Sequence, residues 1–216
     1  MAETKTEQKP KDTDIIPGKN LTYGGKEFSI PANEVKNIAN GHAIDDNKYV
    51  LLTFDDGPSP NTEKVLDILK EKEVHGTFFV LGENLEKSDD SKKLLQRCIL
   101  EGNAIANHTY THNFNKLYPN NVINISLFMD KNAFNALLNE KNIINIDWTS
   151  LNRDAEGKNF SVDQLLSNAI KTSEGKKQIV ILMHDTYGKE KTAQMLPALI
   201  DYYKSNGYEF KTIESV

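Results

Sequence analysis

Short apolar runs alternate with helix-periodic segments along most of this chain. Val50 to Phe54 reads as a buried strand, Thr77 to Leu81 as a second, Ala104 to Asn107 as a third, Ile143 to Ile146 as another and Ile179 to Met183 as the next. Between them, a helix capped by Asn61 or Thr62 carries Val65, Leu66, Ile68 and Leu69 on one face. A second helix covers Ser91 to Leu100 and stops at Gly102. Ser161 with Gln164 forms a capping box for a third, through Ile170. The last helix ends near Gly207, and Pro197 inside it predicts a kink or a late start. Tyr208 to Ile213 then closes as a strand. Alternation of this kind implies parallel strands with helices outside, an α/β fold.

In a parallel β/α barrel all strand C-termini open on one face, and active sites gather there. The polar residues that follow the expected strands are Asp55, Asp56, His108, His112, Asp147, Trp148, His184 and Asp185. Separate strands thus deliver carboxylates, imidazoles and the single tryptophan to one rim.

The bulk numbers narrow the class. A chain of 216 residues suits one domain with a tail. Residues 1–14, rich in Lys, Glu, Thr and Asp, read as a disordered tail. Residues 15–47 read as an N-terminal extension with a small hairpin around Gly24-Gly25, and 48–216 as the main domain. The net charge of −5, from 26 basic and 31 acidic residues with no basic stripe, argues against a nucleic-acid partner. No apolar stretch approaches a membrane span, and the start has no basic-then-apolar leader. Cys98, the only cysteine, excludes an internal disulfide, and its helical spacing with Leu94, Leu95 and Ile99 predicts burial. There is no phosphate-cradling glycine loop and no serine nucleophile elbow. A monomer is expected.

The chemistry resides in two motifs. A metal with Lewis-acid work to do needs about three protein ligands and an open position. His108 and His112 are four apart, so on a helical turn both rings face one way. Asp56 can supply the anionic third ligand, which leaves Asp55 free to take a proton from water. Nitrogen and carboxylate donors suit zinc first, and cobalt, manganese or nickel as well. Asp55-Asp56-Gly57-Pro58 alone reads equally well as a turn signal; the His pair tips the balance toward a metal site. Trp148 suits sugar stacking, although a lone Trp is more often core. His42 and His75 carry no assigned role.

Thr53-Phe54-Asp55-Asp56-Gly57-Pro58-Ser59 resembles the first motif of the NodB-homology polysaccharide deacetylases, carbohydrate esterase family four. His108-Thr109-Tyr110-Thr111-His112 resembles the second, Asp147-Trp148 the fourth and Leu182-Met183-His184-Asp185 the fifth. The likeness runs from about Tyr49 to the C-terminus and looks closest to the peptidoglycan N-acetylglucosamine deacetylases. It implies a distorted (β/α) barrel and metal-dependent hydrolysis of an N-acetyl group on peptidoglycan or a chitin-like glycan, outside the cell or at its surface. It implies Asp55 as general base, and Asp56, His108 and His112 as metal ligands. His184 would be the general acid with Asp147 as its partner, and Leu182 and Trp148 would line the acetyl pocket and sugar groove. An O-deacetylase on acetylated xylan, and a metal-containing carbohydrate-binding module of impaired activity, are the alternatives.

One family part is missing. The third motif, an Arg-x-Pro segment ending in glycine, should lie between the second and fourth. The two arginines, Arg97 and Arg153, have no such context, and only 35 residues separate His112 from Trp148. The expectation is a barrel lacking one strand unit between His112 and Ile143, with a join near Lys131 to Ala133. In the family that arginine orients the base, and a backbone N–H of the motif helps hold the oxyanion. Loss of one oxyanion donor costs about a hundred- to a thousand-fold in rate.

Overall fold

The computed structural model describes residues 9–112 and 144–215. In chain order the elements are β1 (Ser29–Pro31), α1 (Ala32–Ala39), β2 (Tyr49–Gly57), α2 (Pro60–Glu71), β3 (Thr77–Val80), α3 (Gly82–Glu86), α4 (Asp89–Leu100), β4 (Ala104–Asn107), β5 (Ser150–Leu151), α5 (Val162–Ser173), β6 (Gln178–His184), α6 (Glu190–Ser205) and β7 (Glu209–Glu214). Every pairing between these strands is parallel, as the alternation of apolar runs and helices requires.

β2 is the hub. Along one edge it pairs with β6 from Tyr49↔Gln178 to Asp55↔His184. Its other edge is shared: Tyr49 to Leu51 pair with β7, and Thr53 to Gly57 with β3. The sheet therefore forks into a β3–β4 arm and a β7–β1 arm, while β5 joins β6. Asn20 spans the fork, its Nδ2 donating to Ile105 O at 3.0 Å and to Ile213 O at 2.9 Å. The Ile213 N–H adds a bond to Thr77 Oγ1 at 2.9 Å. Splitting of this kind gives a distorted barrel in place of a flat sheet.

The strand period of two divides the core. Val50, Leu52 and Phe54 pack with Val65, Leu66, Leu69, Leu196, Leu199 and Ile200 of the surrounding helices. Tyr49 and Leu51, on the opposite face of β2, pack with Ile30, Val35 and Ile38 from the N-terminal segment and with Val180 and Ile213. That segment is thus built into the sheet and its inner face. The C-terminal ends of β2 and β6 are left to polar side chains.

Several local expectations are corrected. Ser59, not Asn61 or Thr62, caps α2: its Oγ accepts from the Asn61 N–H at 3.0 Å, and Thr62 Oγ1 accepts from the Ser59 N–H at 2.8 Å. α4 starts at Asp89, because Ser88 offers an earlier cap. α6 runs from Glu190 straight past Pro197, so there is no late start. Gly24 to Phe28 form a 3-10 helix, and the antiparallel bridge of that region is Ile15↔Thr22. Ile144 to Ile146 form no strand. Ile144 and Ile146 pack against the inner core, and the Thr149 N–H reaches Val180 O at 2.9 Å, so hydrophobic burial there proceeds without a ladder. The capping box at Ser161 and Gln164 and the burial of Cys98 are as expected. The helix-like stretch Leu127 to Leu138 and the join near Lys131 lie outside the described residues. Among the described residues no helix is long and apolar enough to cross a membrane.

Candidate metal centre and active site

Adjacent residues of a regular strand point to opposite faces. Asp55 and Asp56 escape that rule because the β2–β3 register shifts between Asp55 and Gly57, and Asp56 is left-handed at φ 68°. Both carboxylates consequently reach one imidazole: His108 Nε2 is 3.6 Å from Asp55 Oδ2 and 3.3 Å from Asp56 Oδ1. Asn84 holds the turn, its Nδ2 donating to Asp56 O at 2.8 Å and Gly57 O at 3.4 Å.

The two histidines converge without a helix. The His108 N–H extends the β3 pairing to Val80 O at 3.0 Å; beyond it, Thr109 at φ 79° and His112 at φ 49° bend the chain in the left-handed region. Polar pins hold this loop. Asn107 Oδ1 accepts from the Thr109 N–H at 2.7 Å, and Thr109 Oγ1 from the His112 N–H at 3.1 Å. The first N–H groups of α3, from Gly82 and Glu83, donate to Thr109 O and Tyr110 O. Tyr110 OH donates to Glu86 at 2.5 Å while its ring occupies the space a side chain at Gly82 would need. The expected helical turn is therefore replaced by a pinned loop. The ring centroids still stand 5.0 Å apart, with His112 Nε2 3.9 Å from Asp56 Oδ1.

The donor set fits a metal. One ligand atom each from Asp56, His108 and His112 lies within 4.8 Å of the others. Asp56 Oδ1 is buried and accepts no well-aligned hydrogen bond, although both imidazole nitrogens approach it. A cation between these three atoms would satisfy all of them.

His184 ends β6 beside Asp55. Its partner is Asp154, not Asp147: Asp154 Oδ1 is 2.8 Å from His184 Nδ1, and Oδ2 accepts the His184 N–H at 3.0 Å and the Thr192 hydroxyl at 2.7 Å. Asp147 is exposed, because Asp147-Trp148 precedes the short β5 and the acid that follows that strand is Asp154. Asp154 escapes a sequence reading for the same reason. Ser150-Leu151 is no apolar run, and the one available signal is an acid opening a polar, glycine-containing turn after it. Leu182 is partly buried and shares a strand face with His184. Trp148 is 50% exposed.

The charges sort themselves by environment. Burial pushes Asp55 up to about 6, against the pull of His108 and His184. Burial works on Asp56 in the same direction, but the hydrogen-bonding and charge of His108, with His184, hold it below the usual carboxylate range. Burial lowers His184, and the Asp154 hydrogen bond and charge more than reverse it, so the imidazole stays protonated to higher pH. Neither arginine serves Asp55. Arg97 pairs with Asp67 at 2.6 Å and Glu101 at 3.1 Å, and Arg153 with Glu156 at 3.6 Å.

Comparison with known proteins places this architecture. The polysaccharide deacetylase family profile matches residues 42–145. A peptidoglycan-N-acetylglucosamine deacetylase of Bacillus cereus is 32% identical, over 76% of this chain and 68% of its own length. A bifunctional xylanase/deacetylase of Pseudobutyrivibrio xylanivorans is 30% identical over 94% of this chain, which spans 36% of that much longer protein. Among solved structures, a CE4 esterase of Streptococcus mutans superposes with a TM-score of 0.75 at 29% identity, over 90% of this chain and 95% of its own. The chain belongs to the polysaccharide deacetylase family.

Proposed function

We propose that this protein is a metal-dependent hydrolase that removes N-acetyl groups from N-acetylglucosamine residues of a cell-wall glycan. The observation that carries the reading is the sharing of His108 by two adjacent carboxylates, one in the metal donor set and one outside it. The similarity to a peptidoglycan-N-acetylglucosamine deacetylase supports the substrate class, and with it a place of action at the cell wall.

Asp56, His108 and His112 would hold the cation, zinc by preference for two nitrogens and one carboxylate oxygen. When bound, it supplies Lewis-acid polarisation of the acetyl carbonyl. Asp55 takes a proton from the attacking water as the new C–O bond forms at the carbonyl carbon. His184 is fixed at Nδ1 by Asp154, and its other ring nitrogen gives a proton to the sugar amine as the C–N bond breaks. Acetate and a free amine result. Leu182 offers an apolar wall for the acetyl methyl, and Trp148 a flat face for a sugar.

Acetate release from peptidoglycan and N-acetylglucosamine oligomers tests this. Release is expected with zinc or cobalt and none after chelation; the absence of release from folded, metal-loaded protein contradicts it. The likeness to a xylanase/deacetylase favours one second reading, O-deacetylation of xylan. Acetate yields from acetylxylan and from chitin oligomers, compared side by side, separate the two.

A further inference from the structure

Asp185 follows His184 directly, is 0% exposed, and has no part in the proton transfers above. Among the described residues it makes no ion pair. Its Oδ1 accepts no hydrogen bond, and its Oδ2 stands 2.5 Å from Thr62 Oγ1. Burial pushes its pKa up to about 7. A carboxyl kept in so dry a place carries a desolvation cost.

Its contacts show what it touches. The Asp185 N–H donates to Asp55 O at 3.2 Å, and Asp185 O accepts the Ser59 hydroxyl at 2.6 Å. Its carboxyl lies on the bare α-carbon of Gly57, where an added Cβ would fall 2.5 Å and 2.6 Å from the two oxygens. One residue therefore braces Asp55, Gly57, Ser59 and Thr62, which flank Asp56 on both sides. Asp56 needs that support, because its left-handed backbone at φ 68° is a conformation that residues with a Cβ rarely adopt. Asn84 holds the same turn through the Asp56 and Gly57 carbonyls.

We propose that Asp185 is a positioning residue for the metal centre: its carboxyl, wedged between Gly57 and Thr62, fixes the turn that carries Asp56 to His108 and His112. This rests on the reading of those three residues as a metal site. Loss of a group that orients a ligand typically weakens metal binding by about 10- to 100-fold.

The test is the zinc dissociation constant, measured by competition with a chromophoric chelator, alongside the melting temperature of the metal-free protein. Asp185→Ala is expected to weaken zinc binding at least about ten-fold. Asp185→Asn, which keeps the shape and an acceptor for Thr62, is expected to stay within about three-fold of the parent, a small part of that loss. A merely structural role would lower the melting temperature of Asp185→Ala and leave its zinc affinity within about two-fold of the parent, well short of that loss, and overturns the proposal. If Asp185→Ala does not fold, Thr62→Val decides: weaker zinc binding supports the proposal and unchanged binding overturns it. A parent protein that binds no zinc defeats the metal reading itself, a result distinct from either.

Discussion

Asp154 holds His184 at two points, by Oδ1 at the ring Nδ1, 2.8 Å away, and by Oδ2 at the backbone N–H, 3.0 Å away. One carboxylate thus sets both the place and the charge of the proposed acid. A general acid must be protonated to act, so the rate should fall as pH rises through the His184 pKa. Asp154 raises that pKa, and its removal lowers it. Asp154→Asn is therefore expected to move the alkaline limb of the kcat/KM profile to lower pH and to cut the rate at pH 8. A profile of unchanged shape would assign the acid elsewhere.

Asp55→Asn keeps the size of the side chain and removes the base. The loss of a positioned base costs about a hundred- to ten-thousand-fold in rate. Because Asp55 lies outside the metal donor set, stoichiometric zinc should remain. Activity together with metal analysis checks both halves, and loss of zinc in this variant would place Asp55 among the ligands.

Trp148 is the only tryptophan, and it is half exposed, so the intrinsic fluorescence reports one position beside the proposed groove. Titration with N-acetylglucosamine oligomers should change that emission saturably. Trp148→Ala should weaken binding of the same oligomers by about 1 to 3 kcal/mol, roughly the worth of an aromatic stacking face, at unchanged melting temperature. Oligomer binding without any fluorescence change would put the sugar elsewhere.

Ile38 of α1 is buried at the inner face with Val35, Leu51 and Val180. If the N-terminal segment is part of one cooperative unit, Ile38→Ala should destabilise the whole protein by about 2 to 5 kcal/mol. Denaturant unfolding followed at Trp148 measures this. A change confined to far-ultraviolet circular dichroism, with the tryptophan transition unmoved, would mean that α1 melts alone.

What the sequence made legible follows from local physics. Apolar runs mark β2, β3, β4 and β6; Asp55 and Asp56 lie at the end of β2, His184 ends β6, and His108 directly follows β4. Their shared face is a property of parallel topology. Asp154 stayed hidden because β5 has two residues and no apolar run to mark its end. The convergence of His108 and His112 was legible, but its cause was not. Spacing of four suggests a helix, whereas the loop depends on left-handed residues and on the Asn107, Thr109 and α3 hydrogen bonds. The bracing by Asp185 depends on long-range contact with Gly57 and Thr62, which no periodicity encodes.

The most direct test of the metal centre is equilibrium zinc titration of the parent protein beside Asp56→Ala, His108→Ala and His112→Ala. The parent should bind one zinc per chain, and each substitution should weaken binding by more than the roughly 10- to 100-fold expected for loss of an outer partner. No stoichiometric zinc in the folded parent, or three variants that bind it as tightly as the parent, would contradict the account.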